Sequence, residues 1–163
     1  MFYELFDFIG ETGPITLFLL IIILLYKRKE INLIFYFIIF QIINNILNLL
    51  LKLFFKQPRP SNPHKDLSFY KSIFSANKYG MPSGHAQMIT SELLFIIYYF
   101  KNTYLTLFAL IQTFITLSQR YYSNYHTLIQ IVVGTLIGAS LTLLFLRNLW
   151  SPRQSSVLTS STN

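Results

Sequence analysis

The sequence predicts an all-α integral membrane protein, a helical bundle of about five transmembrane helices. Composition, blocking and the shortage of polar surface carry that prediction. Hydrophobic residues make up 53% of the 163 residues and charged residues only 12%, against about 25% charged in soluble domains. The apolar residues run in long blocks separated by short polar stretches. Five such blocks in one small domain leave too little polar surface to cover them in water. Residues 1–150 read as one domain, and the Ser/Thr-rich stretch 151–163 reads as a disordered polar tail.

The first block runs from about Pro14 to Tyr26 and stops at Lys27-Arg28-Lys29-Glu30. The second covers Ile31 to Phe55, interrupted by Gln41, Asn44, Asn45, Asn48 and Lys52. After a Pro-, Asn- and Lys-rich loop from Lys56 to Met81 come blocks at Ala86–Phe100, Tyr104–Ser118 and Thr127–Leu146. A span needs about 20 residues to cross roughly 30 Å of hydrocarbon, so blocks one, three and four must draw on flanking polar residues. The first residues, Met1 to Asp7, include acids where a cleavable signal peptide carries bases, so the first block reads as a retained anchor. Asparagines inside the second block are costly in lipid unless they bond another helix, which makes them helix–helix glue. Gly134 and Gly138 form a small-xxx-small pair suited to close packing. Phe95, Tyr98, Tyr99 and Phe100 read as lipid-facing or belt residues.

The chain has no cysteine, which excludes disulfides and thiolate chemistry. The net charge of +7 admits a nucleic-acid reading. However, Lys52, Lys56, Arg59, Lys65, Lys71 and Lys78 crowd one stretch, which better suits a phosphorylated small substrate or an anionic membrane surface. The basic turn at Lys27–Lys29 belongs in the cytoplasm by the positive-inside rule. Counting five crossings from there puts Lys56–Met81 and Arg120–His126 together on the non-cytoplasmic face. His64, in that outer loop, reads as a solvated loop residue.

Three polar clusters then stand out. Lys52 and Arg59-Pro60 offer an ammonium and a guanidinium, the second able to grip two phosphate oxygens. Pro82-Ser83-Gly84-His85 opens the third block, with Pro82 suited to a first helical turn and Ser83 and Gly84 presenting backbone N–H groups to an anion. Arg120-x5-His126-x3-Gln130 adds a third cation and a histidine, with Gln130 one helical turn on and able to bond its ring. Taken singly, each cluster also fits an ordinary helix end at a headgroup boundary. Their joint occurrence on one face favours phosphate chemistry. The only acids expected near the site, Asp66 and Glu92, are too few for a metal cage.

The three clusters resemble the signature of the type 2 phosphatidic acid phosphatase superfamily, KxxxxxxRP, PSGH and SRxxxxxHxxxD, over roughly Lys27 to Gly138. The identities are Lys52, Arg59, Pro60, Pro82, Ser83, Gly84, His85, Arg120 and His126. Lys29-Glu30, Asn44, Asn48, the run Tyr79 to Gln87 and Tyr125-His126-Thr127 with Gln130 resemble the dolichyl-diphosphatase branch. The resemblance implies a PAP2/chloroperoxidase-like fold and a lipid-phosphate substrate, a polyisoprenyl diphosphate cleaved to the monophosphate. It implies His126 as nucleophile through a phosphohistidine and His85 as proton donor. Lys52, Arg59, Ser83, Gly84 and Arg120 would bind the phosphoryl oxygens, with no cofactor or metal. The partners expected are the bilayer and the lipid phosphate, with no nucleic acid, and the oligomeric state stays open.

Two departures bear on this. The family serine before the arginine is Gln119, and the family aspartate that orients the nucleophile is Gln130, a neutral amide. In a serine protease the comparable Asp-to-Asn change costs about 10⁴ in kcat. A phosphatidate-type phosphatase and a catalytically inactive lipid-binding scaffold are therefore the alternatives.

Overall fold

A computed structural model describes residues 2–60 and 78–160, with side chains described for 3–60 and 78–149. The described residues form helices α1 (Phe2–Lys27), α2 (Ile31–Phe55), α3 (Gly84–Phe95), α4 (Thr103–Tyr122) and α5 (Leu128–Ser160). A single π-helical turn, Ile96–Phe100, extends α3. No strand occurs among the described residues, so the protein is all-α as expected. His64, Asp66, Lys65 and Lys71 lie outside the described residues.

Three of these helices are long and apolar enough to cross a bilayer: Tyr3–Lys27, Ile31–Phe55 and Leu128–Leu149. The other two differ for a physical reason. α3 has 12 residues, and the π turn lengthens it by five. α4 has 20 but carries Gln112, Thr113, Thr116, Gln119 and Arg120 on its buried face. Such helices can be polar because neighbours cover them: α3 packs most extensively on α5, and also meets α4, α1 and α2.

The apolar helices are hydrophobic both inside and out, as lipid solvent demands. On α1, Leu17, Ile21 and Leu25 recur every four residues and are fully buried, while Ile15, Leu19 and Ile23 are exposed. On α2 the same spacing buries Phe37, Gln41, Asn44, Asn48 and Lys52, while Ile39, Ile42, Ile46 and Leu50 face out. The inward stripe of α2 thus begins with aromatics and ends with a cation. At the aromatic end Phe37 packs tilted against Phe95 at 4.6 Å and Phe40 stacks on Phe145 at 4.4 Å between ring centroids.

The asparagine stripe joins α2 to α3. The Asn48 amide donates to Gln87 Oε1 at 2.7 Å, and Gln87 Nε2 donates to Asn44 Oδ1 at 2.7 Å. Gly134 and Gly138 bring α5 against α3, as the small-residue spacing suggested. A Cβ on Gly134 would come within 2.5 Å of the Ser83 carbonyl oxygen, and one on Gly138 would overlap the Gln87 carbonyl.

Three expectations need correction. α1 begins at Phe2 and carries Pro14 within it, well before the apolar block starts. Phe95 and Phe100 are buried, because the π turn adds a residue to the last turn and keeps both Ile96 and Phe100 inward; Tyr98 alone of the four is exposed. Arg28 covers the Phe100 ring at 4.9 Å. Pro82 precedes α3: Ser83 is the N-cap, its hydroxyl accepting the Ala86 N–H at 3.4 Å, and helical backbone starts at Gly84. The backbone of α5 runs through Ser160.

Candidate active site

The α2 stripe aims Lys52 inward one turn before the helix ends, where Lys56 adopts left-handed backbone and donates its N–H to the Lys52 carbonyl. The chain then turns through Gln57 and Pro58. There Gly80 returns alongside, its N–H bonding the Gln57 carbonyl at 2.8 Å. This pairing holds Arg59 beside the turn that precedes α3.

At the far side, α4 carries Arg120 in its last turn and α5 begins just after His126. The Arg120 carbonyl accepts the N–H groups of both Tyr125 and His126 at 3.1 Å, closing a tight turn. Asn124 takes the left-handed backbone that the turn requires. The Arg120 guanidinium lies 4.6 Å from the Tyr125 ring centroid, an arrangement that favours a cation over the ring face.

These elements enclose a cavity of about 500 Å³. Lys52, Arg59, Gly84, His85, Arg120 and His126 all line it. Six of the residues singled out from the sequence therefore converge. Two do not line it. Ser83 is fully buried, and its N–H donates to the Gln130 carbonyl at 3.0 Å while its hydroxyl caps α3. Gln130 lies behind His126. The rest of the wall is largely apolar: Pro14, Ile15, Leu49, Met88 and Tyr125.

His126 is 3% exposed, and both ring nitrogens are bonded. Nδ1 lies 2.9 Å from the Gly80 carbonyl oxygen and 3.3 Å from Gln130 Oε1. Both partners are acceptors, so Nδ1 carries the proton and Nε2 keeps its lone pair. That lone pair meets Arg59 Nη1 at 3.1 Å. Burial, then the charges of Arg59, Lys52 and Arg120, hold His126 well below the ordinary imidazole value. The ring is thus neutral at pH 7, as a nucleophile must be. Burial and the Arg120 charge lower Arg59 to about 10, and it remains a cation at neutral pH.

Gln130 is the hub behind the ring. Its Nε2 donates to the Pro58 carbonyl at 2.9 Å and to Gln57 Oε1 at 3.1 Å, tying the Arg59 strand to α5. A Cβ at position 80 would come within 2.5 Å of Gln130 Oε1 and would displace this amide from its bonds. The main partner of Nδ1 is therefore a backbone carbonyl that the sequence reading did not single out. Its signal was present in the run from Tyr79 to Gln87.

Acids were also misplaced from sequence. Glu92 is fully buried within α3 and does not line the cavity. The acidic residue that does is Glu11 of α1, whose backbone carbonyl accepts from His85 Nε2 at 3.2 Å. Asp7, one turn earlier, is buried against α4. The recurrence of acids at Glu4, Asp7 and Glu11 on one helical face was the available signal. Among the described residues no three His, Asp or Glu side chains gather as a metal site.

Cations, a neutral histidine and an apolar wall thus share one cavity in a protein with three helices long and apolar enough to cross a membrane. The family model for the PAP2 superfamily matches residues 29–153, and the chain belongs to that superfamily. Its members are phosphatases, and membership supports a lipid phosphatase working at a membrane. No curated protein and no solved structure matches the chain.

Proposed function

We propose that the protein hydrolyses a polyisoprenyl diphosphate of the dolichyl type to the monophosphate, without a metal, through a phosphohistidine. The observation that supports this most is His126, neutral and protonated at Nδ1, in the wall of a cavity that three cations and a second histidine also line, with its Nε2 beside Arg59. The Nε2 lone pair attacks the terminal phosphorus as the bond from phosphorus to the bridging oxygen breaks. His85 gives its proton to that oxygen, and the lipid monophosphate leaves. Water then attacks the phosphohistidine and returns a proton to His85. This releases inorganic phosphate and frees His126. Lys52, Arg59, Arg120 and the first N–H groups of α3 at Gly84 take up the charge on the phosphoryl oxygens. Ser83 keeps the turn in place by its bonds to Ala86 and Gln130.

Gln130 bears on the alternative reading of an inactive scaffold. A neutral amide supplies less stabilisation to an imidazolium than a carboxylate. Here Nδ1 has the Gly80 carbonyl as its closer acceptor, so the tautomer that attacks is secured without an acid. The apolar residues of the wall suit a lipid chain, and the basic turn at Lys27–Lys29, read as cytoplasmic, supports a site on the opposite, non-cytoplasmic face.

The test is phosphate release by detergent-purified protein in EDTA, with polyisoprenyl diphosphate and phosphatidate compared. Turnover of the diphosphate is expected, with acid-labile phosphate on the protein, and His126→Ala should lower it at least about 10⁴-fold. Preference for phosphatidate would move the substrate to the other branch. Folded protein silent on both lipids would favour the scaffold.

A further inference from the structure

Arg120 carries a guanidinium on a long flexible stem, and something must aim it. Its neighbour in the chain, Gln119, does so. Arg120 Nε bonds directly to Gln119 Oε1, and Gln119 Nε2 bonds directly to Asp7 Oδ1 across the α1–α4 interface. All three residues are buried, Gln119 fully and Asp7 to 1% exposure. The direction of this line is forced. A guanidinium can only donate and an ionised carboxylate can only accept, so the amide between them has one permitted orientation. Remove the carboxylate, and Gln119 is free to turn its NH₂ toward Arg120, where it would repel the donor.

We infer that Asp7 of α1, acting through Gln119, is a positioning residue for the Arg120 guanidinium in the phosphate site. The inference rests on the phosphate-binding role proposed for Arg120. It gives a reason for the glutamine that stands where the family signature has serine. A serine hydroxyl is too short to span from α4 to α1, whereas a glutamine reaches. α1 comes close enough because Gly10 faces Gln119, where a Cβ would overlap the Gln119 side chain. Both Asp7 and Gly10 precede residues 29–153, so this part of the site lies ahead of the segment that defines the family. α1 supports His85 as well, through the Glu11 carbonyl.

A merely structural role for Asp7 would dock α1 and nothing more. Ser123, which donates to the same carboxylate oxygen at 3.2 Å but does not lead to Arg120, separates the two roles. The experiment measures orthovanadate binding by calorimetry, kcat/KM for phosphate release, and the melting temperature, all on the full chain in detergent. Asp7→Leu and Gln119→Met should each weaken vanadate binding and lower kcat/KM by about 100-fold, the usual result of a misplacement near 1 Å. The double variant should be no worse than either single, because both break one line. Asp7→Asn keeps an acceptor and should recover most of the loss. Ser123→Ala should lower the melting temperature and leave vanadate binding unchanged.

Asp7→Leu binding vanadate as tightly as wild type would overturn the inference, and so would losses that add in the double variant. If Asp7→Leu does not fold, Gln119→Met with wild-type vanadate affinity overturns it alone. A wild-type protein that binds vanadate yet releases no phosphate from lipid would sink the proposed function, while the Asp7 variants would still decide this inference by binding. A wild type that binds no vanadate overturns both.

Discussion

The two ends of the bundle are equally buried and made of different materials. At one end the rings of Phe37, Phe95 and Phe100 pack on one another, with Ile96 in the same apolar cluster. At the other, Asn44, Asn48, Gln87, Gln119 and Gln130 are just as inaccessible but bonded in a directed network around Lys52, Arg120 and His126. Dispersion between apolar groups is non-directional, so the aromatic end tolerates small shifts. A buried amide tolerates few, because each misplaced donor or acceptor costs about 1–3 kcal/mol. The lesson is that burial at the aromatic end supplies cohesion, whereas burial at the polar end supplies aim.

That contrast can be broken by substitutions that damage one end alone. Arg59→Lys should cause the largest change. Replacing a two-pronged donor by a point charge at the His126 nitrogen should lower kcat/KM about 10²- to 10³-fold, with the melting temperature nearly unchanged. Steady-state assays beside thermal melts check this; a melting temperature that fell with activity would show that the polar end also carries the fold. Phe37→Ala should do the reverse. It empties a site between Phe18, Phe40 and Phe95 and should cost about 3 kcal/mol of stability, the low end for such a change, since lipid competes for the apolar surface. KM for the lipid should stay at the wild-type value in the folded fraction.

The smallest effect is on pH. His126 binds its proton less readily folded than unfolded, where an imidazole titrates near 6.5. Below about pH 6.5 the unfolded chain therefore takes up a proton that the native protein excludes, and stability falls as the pH drops. The slope from this one group cannot exceed about 1.4 kcal/mol per pH unit. Denaturation between pH 8 and 5 should show it in the wild type and show it diminished in His126→Asn. An equal slope in both would mean that the ring is not held neutral.

Much of the site was legible because it consists of rare residues in an apolar chain. Lys52, Arg59, His85, Arg120 and His126 stand out against leucine and phenylalanine, and lipid leaves such groups only one place to gather. The asparagine stripe was legible for the same reason. α1 was not, because a hydropathy reading discounts Glu4, Asp7 and Glu11 and stops at Pro14, whereas in the structure Asp7 Oδ1 accepts from Gln119 and Ser123. Nor was the inward turn of Phe95 and Phe100, since phenylalanine is equally at home in lipid and in a core.

The sequence by itself determined the solvent, the helical class and the chemical kinds of group in the site. These follow from local free energies of transfer and from residue types, which need no partner to evaluate. The tertiary structure alone decided who orients whom: the Gly80 carbonyl behind His126, the Glu11 carbonyl on His85, and Asp7 reaching Arg120 through Gln119. Hydrogen bonds between residues more than 40 positions apart depend on how helices meet. A backbone carbonyl, present at every position, leaves no mark in composition.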